Sequence, residues 1–463
     1  MVEKEKKMLR KVEKYTQGNL FQSQLRDMLD SRDPLVALAE KLNWGVYEES
    51  FEKYYSKEGR PAKPIRLMVG LLLLKQLENL SDERVVVQWK RNPYYQYFCG
   101  MNEFQIGLPC DSSELVKFRN RIGKEGVELI FKTTVMLHGK KAEEPQVIVD
   151  TTVQEKNITY PTDGKLAIRM INHLHKIAKE EKIQLRRTFV REIKQHRINL
   201  RFFKHPKKIK KAKASIKRLR TIVGILIRDI SRKIGEERAK KYQEKFELFE
   251  KVRKQKIQDK NKTYSIHEQH IYVMAKGKEH KKYEYGTKAS IVTTMKSNII
   301  IGVSAHHKNE HDSRTLKLAL SSASKNRTKP IKEAICDRGY RGRKKVENIE
   351  ICIPDQKRKK RDTKYQIELK RKKFRRRAAI EPIIGHLKSD YRLSRNYLKG
   401  FIGDEINLLL AASAWNLKKW INDFLMLFFM LKLLLVYVFF QKIQPNQRER
   451  YSDLGLLLFS VFH

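Results

Sequence analysis

The spacing of apolar positions changes texture along the chain, and each change predicts a different kind of element. Residues 1 to about 30 are charged and only weakly periodic, as in a basic arm. From Pro34 to about Leu137 the spacing is helical. Arg66–Leu77 (RLMVGLLLLKQL) predicts a strongly apolar helix. Ser81, with Asp82 and Glu83 behind it, marks the start of a helix over Glu83–Lys90, and Asn92-Pro93 breaks the chain. Ser112 and Ser113 can cap a further helix, Glu114–Arg121, which carries Lys117, Arg119 and Arg121.

Pro145 opens a different pattern. Gln146–Val149 (QVIV) is a continuous apolar, mostly β-branched run, read as a strand covered on both faces and closed by Asp150. Thr151–Val153 keep the β-like chemistry, and Asn157, Pro161, Asp163 and Gly164 then mark a loop. About 166–260 the chain is helical and basic, interrupted by Pro206, with heptad-like spacing over Ile216–Ile234. Strands return after Lys260: Ile271–Met274, Tyr285–Thr294 and Ile299–Ser304, punctuated by Gly277, Gly286 and Gly302. A helix is expected over Asp312–Ser324. Short strands follow at Glu333–Cys336, ending in Asp337, and at Ile349–Pro354. After them come a basic loop at 357–361 and an apolar helix at Leu408–Leu417.

This order predicts a mixed α/β sheet with a helical block inserted after its first strand. The expected divisions are a basic arm (1–33), a helical N-terminal domain (34–140), a catalytic domain (141–420) with its insertion at about 166–260, and a hydrophobic tail (421–463). The helical domain could read DNA in helix-turn-helix fashion or serve as a structural or dimerising module. Within the tail, Phe424–Phe440 (FLMLFFMLKLLLVYVFF) has two readings, a membrane span or a core-packing helix. Lys432 near its centre and its short length favour the core.

Charge narrows the partners. Among 463 residues, 100 Lys and Arg face 53 Asp and Glu, a formal net charge of +47. Folding needs no such excess, and it repels itself unless a polyanion is near. Nucleic acid is the natural partner, through counterion release from phosphates, although charge alone does not separate an enzyme from a structural binder. Cys99, Cys110, Cys336 and Cys352 form no CxxC pair or zinc spacing and read as reduced thiols of an intracellular protein. The N-terminus lacks the apolar segment of a signal peptide.

The candidate chemistry lies in three carboxylates. Asp150 and Asp337 each follow an apolar strand, and functional groups of α/β sheets gather at such ends. An Asp in that place is also a common turn former. The third acid, Glu381, sits in the basic stretch Lys370–Asn396. Phe374, Arg377, Glu381, Gly385 and Lys388 share one helical face there by their spacing. That stretch could equally be a solvated basic helix with one ordinary ion pair. Pro382 means the helix either bends or begins beside Glu381. Three gathered carboxylates repel unless a cation joins them, and Mg²⁺ suits oxygen donors next to phosphates. Two such ions would serve an in-line displacement at phosphorus. No Ser-His-Asp arrangement or GxxxxGK loop is present, so ATP use is not expected. His306, His307, His311 and Asp312 have loose metal-ligand spacing, but a loop before a helix accounts for them. His267, His270 and His280 read as structural, and His386 as packed or solvated.

Taken together, these motifs resemble the DDE transposases of the IS4/IS5 insertion-sequence type. Phe374, Arg377, Glu381 and Lys388 match the family's Tyr-Arg-Glu-Lys spacing, with Phe in place of Tyr. CDRGYRG at 336–342 is similar to its second-aspartate motif and VDTTVQEKN at 149–157 to its first. The stretches 265–278 and 281–291 also look like that family. The resemblance implies an RNase H-like fold with Asp150, Asp337 and Glu381 as catalytic metal ligands for two Mg²⁺ ions, with Mn²⁺ able to substitute. It implies cleavage at terminal inverted repeats and strand transfer of 3′-hydroxyls into target DNA by a homodimer on double-stranded DNA, in the cytoplasm at the nucleoid. Arg377 and Lys388 are expected at the scissile phosphate and Tyr340 against a displaced base. Arg119 and Arg121, on the basic N-terminal helix, are further expected DNA contacts. An inactive DNA-binding or repressor relative, and an RNase H-like nuclease without strand transfer, are the alternatives.

Overall fold

The computed structural model describes residues 23–442 except 57, 59, 60, 257, 276–281 and 356–361, and the side chains of 436–442 are not described. Most of the expected arm, His280, Gly277, the basic loop at 357–361 and the tail beyond 442 therefore lie outside the described residues. The N-terminal part is helical: α1 (Leu25–Met28), α2 (Pro34–Lys41), α3 (Gly45–Glu52), α4 (Ile65–Leu77), α5 (Asp82–Arg91), α6 (Pro93–Phe98) and α7 (Ser112–Met136). Leu25 is fully buried and its N–H donates to the Asn102 carbonyl at 2.7 Å, so residues expected to belong to a free arm are docked. Ser81 caps α5 as expected, accepting from the Arg84 N–H at 3.2 Å. For α7 the cap is Asp111, which accepts from the Ser113 N–H at 2.8 Å; Ser112 and Ser113 lie in the first turn. The helix runs fifteen residues past Arg121, through a kink at Gly123, whose φ of 61° an L side chain rarely adopts.

The sheet begins with β1 (Gln146–Glu155), followed by four helices, α8 (Asp163–Glu180), α9 (Val190–Leu200), α10 (Ile209–Lys233) and α11 (Glu236–Lys254). Then come β2 (Tyr272–Ala275), β3 (Tyr283–Thr294), β4 (Ile300–His306), α12 (Asp312–Ser324), β5 (Glu333–Ile335), β6 (Lys345–Val346) and β7 (Ile349–Cys352). The chain closes with α13 (Lys364–Arg377), α14 (Ile380–Ser389) and α15 (Gly400–Lys442). The two-residue β6 has no sequence signal of its own; it is an edge hairpin partner of β7.

β3 is the long strand, and its centre pairs antiparallel with β4 on one side and β1 on the other; β1, β5 and β7 then run parallel. This mixed order, with α12 crossing between β4 and β5, is RNase H-like. Gly286 is required where β3 crosses β1, because a Cβ there would lie 1.9 Å from the Gln154 carbonyl oxygen.

Two hydrophobic cores form. One joins the N-terminal helices to the sheet without a break, through α4, α7 and the apolar stretch of α15. The N-terminal helices therefore share one continuous core with the sheet. Asn416 of α15 fixes the joint: its Oδ1 accepts from the Ile300 N–H at 3.0 Å and its Nδ2 donates to the Ile300 carbonyl at 2.8 Å. The second core belongs to the inserted helices α8–α11, where the heptad-like face of α10 (Leu219, Ile222, Val223, Leu226, Ile230) packs on α8.

The expected core-packing helix at the tail is not what forms. α15 continues through it, but Leu425, Met426, Leu427, Met430, Leu434 and Leu435 are exposed by 45–69%. The helix has run off the body at that point, so no core surface remains for its apolar residues to cover. Among the described residues no helix is long and apolar enough to cross a membrane.

Candidate catalytic site

Asp150 does not end its strand. β1 continues through it to Glu155, because Thr151–Val153 are β-formers with a full antiparallel partner in β3 (Asp150 opposite Ile291). The parallel partner ends earlier. Ile148 pairs with Ile335 at the last position of β5; Asp150 stands two residues onward in β1, and Asp337 two residues beyond the end of β5. Adjacent strands lie about 4.8 Å apart, so this register sets the two acids side by side. Asp337 caps a short turn, Arg338–Tyr340, and accepts from the Gly339 N–H at 2.8 Å.

Glu381 arrives from the opposite chain direction. α13 ends at Arg377 and α14 begins at Ile380, so the stretch first drawn as one helix is two, and Pro382 sits in the first turn of the second. Its missing N–H costs nothing there, since first-turn donors have no partner within the helix. Arg377 still reaches Glu381 across the break, Nη2 to Oε1 at 3.6 Å, and its Nη1 lies 3.8 Å from Asp150 Oδ2. One guanidinium thus spans two of the three acids.

α13 is held against the sheet by its own cations. Lys373 pairs with Glu333 of β5, and Arg376 donates to the Met295 and Lys296 carbonyls and to Asn298 Oδ1. Lys370 bridges Asp355 and Asp362 at 3.1 and 2.6 Å. Arg371, Lys372 and Arg375 remain exposed. Lys388 lies 3.6 Å from the buried Glu284 of β3, and Arg121 is half-buried over the Tyr55 ring at 4.7 Å.

Two expected DNA contacts are placed otherwise. Arg119 is 3% exposed and makes a two-pronged pair with Asp82, at 2.8 and 2.6 Å, beside Lys75. It closes the joint between α5 and α7 and presents no guanidinium to solvent. Tyr340 is fully buried, so it offers no face to a displaced base. The sequence could not distinguish these from surface residues, because Asp82 lies 37 positions from Arg119 and the pocket around Tyr340 is assembled from distant strands.

The histidines do not gather. His306 is buried in β4 with Nε2 2.8 Å from Ser290 Oγ, and burial, then the Lys288 charge, pushes its pKa down to about 4. His307 stacks on Phe401 and His311 caps α12. Asp312, by contrast, is tied to the sheet: its Oδ1 accepts from Thr151 Oγ1 at 3.0 Å and pairs with Lys288 Nζ at 3.0 Å.

The donors available for a divalent ion are of the right kind: hard carboxylate oxygens, two of them neighbours in register, with a cationic guanidinium already drawn between Asp150 and Glu381. In this conformation no three His, Cys, Asp or Glu side chains among the described residues are close enough to hold an ion together. Arg377 supplies the positive charge the acids need to stand near each other.

Two transposase family models match the chain. A transposase domain (DUF772) model matches residues 23–121, and a transposase DDE domain model matches 237–417, which includes Asp337 and Glu381. An uncharacterized protein, ORF8 in the nfe locus of Rhizobium meliloti, is 39% identical over 193 residues, covering 41% of this chain and 93% of that protein. No solved structure matches. The chain thus carries a transposase domain on its N-terminal helices and a transposase DDE domain from α11 through most of α15, with β1 and Asp150 lying before the DDE match.

Proposed function

We propose that this chain is an active transposase of the IS4/IS5 kind, cutting DNA at the ends of an insertion element and joining the freed 3′-hydroxyls to target DNA. The observation that carries the reading is the register of β1 on β5, which sets Asp150 beside Asp337, with Glu381 tied to Asp150 through Arg377. Asp150 and Asp337 would hold Mg²⁺ or Mn²⁺, and Glu381 would complete the set. Ions held there would activate a water or 3′-hydroxyl and stabilise the leaving oxygen.

The protein's own groups do the rest. Arg377 would exchange its carboxylate partners for the scissile phosphate, a bidentate match for a guanidinium. Lys388 would follow the phosphate backbone from the far end of α14. Arg121 and the exposed Arg371, Lys372 and Arg375 would hold flanking DNA, and a homodimer would bring two ends together.

The test is Mg²⁺-dependent cleavage of DNA carrying the element's ends, for the wild type, Asp150→Asn and Glu381→Gln. The variants are expected to bind but not cut. Cleavage by either variant at the wild-type rate would refute the assignment. Wild-type cleavage without joined product would point to a nuclease, and binding without cleavage to a DNA-binding relative.

A further inference from the structure

Asp312 stands outside the three assigned acids, but it is bound to the neighbour of Asp150 and faces the Asp337 turn. It is the first residue of α12, and both partners of its Oδ1 come from the sheet: Thr151, next to Asp150 in β1, and Lys288 of β3, each at 3.0 Å. Its other oxygen faces the Asp337 turn. A Cβ on Gly339 would lie 3.2 Å from Asp312 Oδ2 and 3.0 Å from Asp337 Oδ1. Glycine is what allows these two carboxylates to approach the same backbone position.

A second observation points into the same space. The Tyr340 side chain is fully buried, and its hydroxyl has no hydrogen-bond partner. Burial first, and then the charges of Asp150, Cys336, Asp312 and Asp337, push its pKa well above the ordinary value. A buried hydroxyl left unpaired is costly, and such groups in native proteins find protein or ordered water. Three residues on from Asp337, in the turn that Asp312 faces, an unpaired donor marks a position where water belongs.

We propose that Asp312 and the Tyr340 hydroxyl form the outer shell of the catalytic ion site, orienting water on the ion held by Asp150 and Asp337. The inference rests on the catalytic reading above and adds two positioning residues to it. Mg²⁺ keeps several of its waters when bound by protein carboxylates, and those waters need acceptors. Thr151 and Lys288 occupy Oδ1 and fix the rotamer of Asp312, which leaves Oδ2 to accept from a metal-bound water. Tyr340 would contribute a rigid donor or acceptor from below. Outer-shell partners of this type typically change metal affinity about 10–100-fold.

The test uses the full chain without DNA and Mn²⁺ alone as the probe, titrated by electron paramagnetic resonance. Wild type, Asp312→Asn, Tyr340→Phe and Asp150→Asn are compared. Asp312→Asn is expected to weaken Mn²⁺ binding about 10–100-fold, and Tyr340→Phe to weaken it less. Both should recover cleavage at raised Mg²⁺ and keep wild-type DNA binding in chelator. Tyr340→Phe retains the ring that fills the core, so it reports even if Asp312→Asn disturbs the start of α12. If Asp150→Asn loses Mn²⁺ while Asp312→Asn and Tyr340→Phe bind it like wild type, the outer shell is refuted and the catalytic reading stands. If Asp150→Asn binds Mn²⁺ like wild type, the catalytic reading is refuted and this inference with it.

Discussion

Arg377 is the residue on which the candidate site turns, because its guanidinium lies between Asp150 and Glu381. Arg377→Ala should leave the melting temperature near that of wild type, since both of its pairs are long. It should lower end cleavage about 100-fold, as loss of one transition-state donor does. Arg377→Lys should recover little, because an ammonium lacks the fork that grips a phosphate. The three acids are singled out in the sequence for different reasons. Asp150 and Asp337 each follow an apolar run, and Glu381 has its fixed distance from Arg377. Asp312 was not legible as part of the site, because Thr151 lies 161 positions away from it and Lys288 lies 24 away.

A second residue-scale prediction concerns the buried triad of Lys75, Asp82 and Arg119. Burial works to raise the Asp82 pKa, but the hydrogen bond from Arg119 and the charge of Lys75 prevail and hold it at about 2. For Lys75 the balance reverses: burial and the Arg119 charge outweigh Asp82 and bring it down to about 8. The depressed Asp82 value stabilises the fold fully above the ordinary carboxylate range. That contribution, about 2 kcal/mol, should fade as pH falls from about 4 through about 2. Asp82→Asn would leave two buried cations without their counter-charge and should cost about 3–5 kcal/mol in urea unfolding at neutral pH. A loss under about 1 kcal/mol would mean the triad behaves as an exposed pair.

At the scale of elements, two glycines separate folding from chemistry. Gly286→Ala would drive a methyl group into the Gln154 carbonyl and part β3 from β1, so the variant should melt well below wild type or fail to fold. Gly339→Ala lies in a turn and meets only carboxylate side chains, Asp337 at 3.0 Å and Asp312 at 3.2 Å. It should fold and bind DNA but lose most cleavage, which circular dichroism and a nicking assay would check together. Sequence reading placed the elements well where periodicity was strong, as in α4, β3 and α12. It ended β1 too early, because a single polar Asp150 inside a β-branched run resembles a strand end. Of the two readings Pro382 allowed, a bend or a helix beginning beside Glu381, the second holds: α14 begins at Ile380 after the Ala378-Ala379 break.

Across the whole molecule, the excess of +47 should show as a steep loss of DNA affinity with salt. The slope should be smaller than the count of Lys and Arg suggests, because Lys370, Lys373, Arg376 and Arg119 are committed to internal partners. Net charge made the partner legible, but which cations face it depends on packing between distant segments. The same limit applied to the tail: Phe424–Phe440 has the composition of a core helix, yet the body ends before it. Truncation after Asp423 should therefore leave the melting temperature and DNA binding unchanged and reduce self-association, as seen by light scattering.

The central claim, that Asp150 and Asp337 form one metal-dependent centre with Glu381, is tested most directly by nicking at the element's ends in Mg²⁺. Wild type and Asp150→Asn would be compared at matched DNA occupancy. The account predicts that wild type nicks and that Asp150→Asn is slower by about 1,000-fold or more while binding the same DNA equally well. Nicking by Asp150→Asn at the wild-type rate would contradict it.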